Sequence, residues 1–215
     1  MDYLSFSLEP ENQYDLQYFV VHTGNAEAYN LLNLATNELL EHENKFKLFF
    51  ICGRKGTGKT HLSRGFADRL SKHGFDKSKA VVQAIDASLP AEALEKDIPL
   101  IVAEYERVKR SGGLFIVYTE TDLERVTDNP HLKSRLLAGH VCTLRYPKAE
   151  ELEPVIKSLA AKRNLALNDK SIKLIIENLP PDTTSISEIL DKLNNVALAK
   201  GKKVSGKLLK HIIKK

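Results

Sequence analysis

Short apolar runs alternate along the first two thirds of the chain with stretches whose apolar residues recur three and four positions apart. Lys45–Cys52 (KFKLFFIC) is apolar almost throughout and ends at a glycine-rich loop, the pattern of a buried strand. After the loop, Leu62, Phe66 and Leu70 share one helical face, and Gly74 follows as a stop. Ala80–Ile85 (AVVQAI) reads as a second strand. Ile98, Ile101, Val102, Tyr105 and Val108 return to helical spacing, with Pro99 placed in the first turn, where a missing N–H is harmless, and Gly112-Gly113 as the close. Leu114–Thr119 (LFIVYT) and Val141–Leu144 are the third and fourth strands. Strands that alternate with helices predict an α/β fold, a parallel sheet with helices on both faces.

Beyond Pro147 the strand-like runs end and only helical spacing remains. Leu152, Val155, Ile156 and Leu159 form one helical stripe, and Ile172, Ile175, Ile176 and Leu179 a second. Ile186, Ile189, Leu190, Leu193 and Ala197 form a third, with Ser185 and Glu188 spaced as a capping box. Leu208, Leu209, Ile212 and Ile213 form a short fourth. Each stripe is the width of a core-facing surface. The expected organisation is a tail over residues 1–18, an α/β core over 19–146 and a small all-α lobe over 147–215, with no internal repeat and no low-complexity linker.

Composition narrows this picture. The 215 residues are 42% apolar, enough for a buried core. No apolar stretch approaches the ~18 residues that span a bilayer, and the acidic N-terminus lacks the basic-then-apolar order of a signal peptide. A cytoplasmic protein without membrane contact is expected. Cys52 and Cys142 lie inside strand-like runs, the setting of small buried hydrophobes, and no cluster of metal-ligating residues stands near them. The net charge of +4 is a local feature: Val196–Lys215 holds seven lysines and no acid, which leaves residues 1–195 at −3. Such a stretch is either a solvated helix face or a patch for nucleic acid or an acidic partner, and no aromatic residue is interleaved for base stacking.

The chemistry sits between the first strand and the helix that follows it. Gly53-Arg54-Lys55-Gly56-Thr57-Gly58-Lys59-Thr60 satisfies GxxxxGK[ST] in the strand–loop–helix setting that a P-loop requires. The glycines let successive N–H groups turn inward around a phosphate, and the helix N-terminus adds its partial positive charge. Lys59 would reach the β- and γ-phosphates, and the Thr60 hydroxyl would hold Mg²⁺. A purine nucleoside triphosphate or diphosphate is the expected ligand. An acid at the end of a neighbouring strand would order the metal through water, and Asp86, after AVVQAI, is the candidate. The next position, where a second carboxylate would activate water, is Ala87. Hydrolysis is then slow, or Glu120 at the end of the next strand supplies the carboxylate, or a partner does. About 27 residues separate Lys59 from Asp86, too few for another strand and helix. The sheet is therefore expected to lack one edge strand. The other arrangement, with AVVQAI itself at the edge and the acid-bearing strand missing, would remove an interior strand and expose unpaired backbone.

These residues resemble the AAA+ module of the DnaA family, most closely its short Hda-type paralogues. Phe19-Val20-Val21 followed by Asn25 is similar to the family's entry segment, which packs against adenine. Gly58-Lys59-Thr60-His61-Leu62 matches its GKTHL. Leu132-Lys133-Ser134-Arg135-Leu136 with Gly139 looks like the segment called box VII, and the chain from Pro147 onward looks like the helical lid. The resemblance implies that Arg135 acts in trans, stabilising a triphosphate bound by a neighbouring subunit. It also places Thr184 where the family's lid carries a sensor arginine, a second departure after Ala87. Tyr3–Leu8 lies where Hda-type proteins carry a peptide for the DNA polymerase sliding clamp, with Leu4, Phe6 and Leu8 alternating as an extended peptide requires. The chain ends with the lid, so no duplex-reading helix-turn-helix module is expected.

The function implied is regulation of replication initiation: an adenine-nucleotide binder docked on the sliding clamp that presents Arg135 to ATP-bound DnaA, with its own hydrolysis weak or absent. Two other readings stand beside it. One is a helicase-loader-like adaptor that recruits partners without regulated hydrolysis. The other is a weak ATPase that works by self-association.

Overall fold

The computed structural model describes residues 14–86, 91–127, 129–200 and 206–213. Leu4, Phe6 and Leu8 of the expected clamp peptide lie outside them, as do Ala87 and Lys202, Lys203, Lys214 and Lys215.

Four parallel strands form one sheet: β1 (Phe46–Cys52), β2 (Ala80–Ile85), β3 (Gly113–Thr119) and β4 (His140–Thr143), in the order β2-β3-β1-β4. The order follows from composition. β1 and β3 have a neighbour on each side and are apolar almost throughout, and all but one residue of β3 is buried. β2 and β4 stand at the edges, keep polar residues such as Gln83 and His140, and are only partly buried.

Side chains of β1 divide by parity between the two faces. Leu48, Phe50 and Cys52 pack with Phe115 and Val117 under α3 (Ala91–Ser111) and α5 (Pro130–Leu137), which follows the short α4 (Leu123–Val126). Phe49 and Ile51 pack with Leu114 and Ile116 under α1 (Ala26–Glu41) and α2 (Lys59–Lys72). The third apolar cluster is built from α6 (Leu152–Ala161), α7 (Asp169–Asn178), α8 (Thr183–Lys200) and α9 (Gly206–Ile213), with Ile156, Ile172, Leu190, Leu193 and Leu209 buried at its centre.

Among the described residues the sheet lacks one edge strand, as expected, and two other expectations change. β2 pairs with β3 alone, so AVVQAI is itself the edge strand. Its C-terminus still reaches the cavity described below, because β3 closes directly onto β1 and no interior strand is missing. Pro99 lies well inside α3, which begins at Ala91 and so carries the proline past its first turn. α8 begins at Thr183, and the Asp182 carboxylate accepts the Ser185 N–H at 2.7 Å, so Asp182 does the capping expected of Ser185. Helix α1 had no place in the sequence reading, although Ala28, Leu32, Ala35 and Leu39 form a buried stripe at helical spacing.

Candidate functional site

Parallel strands carry their loops for ligands at the C-terminal edge. There β1 runs into the P-loop, and α2 opens at Lys59. Gly56 and Gly58 hold φ of +76° and +92°, in the left-handed region that side chains disfavour. Both are also crowded: a Cβ on Gly56 would stand 2.7 Å from Asp182 Cβ, and one on Gly58 would stand 3.2 Å from the Phe19 ring. Loop, lid and entry segment are thus pressed together at two glycines.

Lys59 is 7% exposed. Its ammonium donates to the carbonyl oxygens of Gly53 at 2.6 Å and Arg54 at 2.9 Å. Burial pushes its pKa down, opposed by the nearby Glu120 carboxylate. A desolvated ammonium hydrogen-bonded to carbonyl dipoles gains most from a polyanion. The Thr57 hydroxyl donates to the Arg54 carbonyl at 2.8 Å and stiffens the loop.

The loop opens on a cavity of about 900 Å³, a volume suited to a nucleotide-sized ligand. Lys55, Gly56, Gly58, Lys59, Thr60 and His61 line its floor, and Asp86 and Glu120 line the side below β2 and β3. The roof comes from Leu159 of α6, from Lys162 and Arg163 just after it, and from Thr183, Thr184 and Ser187 of α8. Thr183 fastens this roof, its N–H and hydroxyl both reaching the Gly56 carbonyl at 2.9 Å. The Tyr146 hydroxyl donates to the Lys55 carbonyl at 2.7 Å from the other side.

A smaller apolar recess adjoins the cavity, lined by Tyr18, Phe19, Val20, Thr57, His61 and Leu159 among others. His61 organises it. Its ring nitrogen pairs with the Asp15 carbonyl at 2.9 Å, and the ring stands edge-on to Phe19 at 5.4 Å. Burial lowers the His61 pKa, so the ring is neutral at pH 7. Phe19 in turn stacks on Tyr29 at 5.9 Å. Val21 is 43% exposed and lines neither hollow. Gly53 and Arg54 serve through the carbonyls that hold Lys59.

Arg135 stands apart from both hollows, on α5. Its Nε donates to Glu106 at 2.9 Å and one terminal nitrogen to the His131 carbonyl at 3.0 Å, with the guanidinium 5.9 Å from the Tyr105 ring centre. Sequence reasoning missed Lys162, Arg163 and the roof hydroxyls of Thr183 and Ser187. The signal was present for α8, where hydroxyl residues crowd a helix start. For Lys162 there was none, since only the packing of α6 over the loop brings it in. Arg163 is engaged by Asp191 at 2.6 and 2.9 Å.

Glu151 ties the start of the helical lobe to the entry segment. Its carboxylate accepts the Thr23 N–H at 2.8 Å, the Lys148 N–H at 2.9 Å and the Thr23 hydroxyl at 2.9 Å. Those two backbone N–H groups, Thr23's foremost, hold its pKa at about 2. A carboxyl depressed by folding contributes its full stabilisation above the ordinary value of ~4.3, and loses it as pH falls toward the folded value. Thermal unfolding followed from pH 5 to pH 2 should therefore fall less steeply in Glu151→Gln than in wild type; parallel curves would remove Glu151 from the acid response.

No protein-family profile matches the sequence. An uncharacterized protein of Haemophilus influenzae is 25% identical over 205 residues, 86% of this chain and 89% of that one. Among solved structures, domain III of the Thermotoga maritima replication initiation protein DnaA superposes with a TM-score of 0.72 at 19% identity, covering 96% of this chain and 98% of that one. The T. maritima Holliday junction branch migration motor RuvB gives 0.66 at 13% identity over 94% and 71% of the two chains. DnaA from Aquifex aeolicus, bound to AMPPCP, gives 0.62 at 20% identity over 88% and 67%. The chain has the fold of DnaA domain III, along nearly the whole length of both.

Proposed function

We propose that this protein is an adenine-nucleotide-binding AAA+ regulator of replication initiation, of the Hda type. The observation that carries the nucleotide reading is the desolvated Lys59 ammonium at the floor of a roofed cavity, over a loop whose Gly56 and Gly58 admit no side chain. An adenine nucleotide is favoured because a mostly apolar recess lined in part by Phe19, Val20 and Leu159 adjoins that floor, and because a DnaA of the same fold carries AMPPCP. Thr60 and Asp86 face the cavity with hydroxyl and carboxylate oxygens, donors that suit Mg²⁺. When bound, that ion would neutralise the phosphates.

The regulatory part rests on Thr184 of the helical lobe and on Arg135 of α5. Thr184 brings a hydroxyl to the position where the resemblance implies a cation. Arg135, whose planar guanidinium suits phosphate, does not line the chain's own cavity, which is consistent with a residue acting on a neighbour's nucleotide. Ala87 makes the chain's own turnover slow. Docking through Leu4, Phe6 and Leu8 on the sliding clamp would bring Arg135 to ATP-bound DnaA.

Purified full-length protein should bind ADP or ATP stoichiometrically, bind the sliding clamp, and accelerate phosphate release from ATP-loaded DnaA when the clamp is present on DNA. A protein that binds nucleotide but moves neither clamp nor DnaA would leave the adaptor reading in its place.

A further inference from the structure

The position after Asp86 has no carboxylate, yet the strand register brings one to the same place from another strand. β2 and β3 pair with Ile85 opposite Thr119, so the residues that follow, Asp86 and Glu120, leave the sheet side by side on strands about 4.8 Å apart. On its other side β3 pairs with β1, with Cys52 opposite Thr119, and the Gly53 N–H donates to the Thr119 carbonyl at 3.2 Å. Glu120 therefore stands between the metal-side acid and the first residue of the P-loop. It lines the cavity together with Lys59, Thr60 and Asp86.

Two further observations point to this spot. Glu120 is exposed, and among the described residues its carboxylate makes neither ion pair nor hydrogen bond, acting on Lys59 only through its charge across the cavity. Beside it the Thr121 hydroxyl oxygen is buried without a hydrogen-bond partner in a residue that lines the same cavity. A buried hydroxyl left unpaired is uncommon, and a bound ligand or water is the usual remedy.

We propose that Glu120 is the general base of a slow nucleoside triphosphatase in this chain's own pocket, with Thr121 helping to hold the attacking water. The water oxygen bonds to the γ-phosphorus, and the bond from that phosphorus to the β–γ bridging oxygen breaks. The bridging oxygen keeps the electron pair and leaves as part of the diphosphate. The proton released by the water passes to the Glu120 carboxylate and from its exposed face to solvent. Oxidation states are unchanged, and the products are the nucleoside diphosphate and phosphate. This rests on the nucleotide-binding half of the reading above and is independent of clamp and DnaA.

The test uses full-length Glu120→Gln and wild type, with ATP and ADP affinities measured by equilibrium titration and phosphate release measured in single turnover. Turnover should fall on the order of 10²–10⁴-fold, the range for loss of a positioned base. ATP affinity should rise severalfold while ADP affinity stays constant, because a negative charge beside the γ-phosphate has been removed. A structural role for Glu120 would produce no such split. Glu120→Gln with wild-type turnover and an unchanged ATP-to-ADP affinity ratio would overturn the proposal, as would wild-type phosphate release no faster than that of Lys59→Ala. If wild type binds neither nucleotide, the nucleotide reading itself fails, an outcome distinct from either of these.

Discussion

Arg135→Ala is expected to abolish the acceleration of ATP hydrolysis on DnaA while leaving this protein's own nucleotide affinity at the wild-type level. The split follows from placement. Arg135 lines neither hollow of its own chain, so its loss removes nothing from the resident nucleotide. A guanidinium delivered to a triphosphate from a neighbouring subunit contributes about 10³–10⁵ in rate, by spreading charge over the transferring phosphoryl group. The Glu106 pair does not prevent delivery. Both side chains are partly exposed, at 29% and 40%, and an exposed pair of this kind contributes at most about 1 kcal/mol. Arg135→Lys should rescue little, because an ammonium keeps the charge but not the planar fork. Phosphate release from ATP-loaded DnaA, with clamp on DNA, reads the effect directly. Acceleration that survives Arg135→Ala would assign Arg135 to its bond with Glu106 and send the search for a trans-acting group elsewhere.

Much of the architecture was legible because β1 and β3 announce themselves. Phe49-Phe50-Ile51 and Leu114-Phe115-Ile116-Val117 are apolar on both faces, a pattern that only a strand covered on both sides sustains. Gly74 and Gly112 ended helices as read, each at a positive φ. Local pattern failed where the answer lay in distant partners. AVVQAI reads the same as an edge or an interior strand, since only pairing distinguishes them. Pro99 signalled a helix start, yet the helix forms around it because Ile98, Ile101, Tyr105 and Val108 are buried against the sheet. Packing of that face outweighs the lost hydrogen bond of one proline. In the cavity the contrast is sharper. The floor is contiguous in sequence and could be read from GxxxxGK[ST]. The roof is not, because Leu159, Lys162 and Thr183 meet it only when α6 and α8 fold over the P-loop. The Asp86–Glu120 neighbourhood is likewise a matter of register, and register is set by pairing that spans 34 positions of chain.

Lys59→Ala should lower nucleotide affinity at least about 100-fold, the largest effect expected of any single change in this pocket. The lysine is buried, and among the described residues its ammonium hydrogen-bonds to two backbone carbonyls. Burial already disfavours its charge, which lowers the pKa. A polyphosphate reverses that balance by bringing opposite charge to a site from which water has been largely removed. Each charge-assisted hydrogen bond there contributes about 1.5–3 kcal/mol, and two of them correspond to roughly 10²–10⁴ in affinity. Lys55 lines the same floor but is exposed and keeps its hydration, while Thr60 offers a hydroxyl and Asp86 and Glu120 carry the wrong sign. Lys59→Arg should fail nearly as completely, because a planar guanidinium does not fit a space that leaves the lysine 7% exposed. Equilibrium titration with a fluorescent adenosine diphosphate decides the matter, and a thermal melt of each variant shows that the fold survives. Affinity within a few-fold of wild type would place the nucleotide away from the P-loop, and the role given to Glu120 would fall with it, since that carboxylate has a substrate only if the γ-phosphate lies over Lys59.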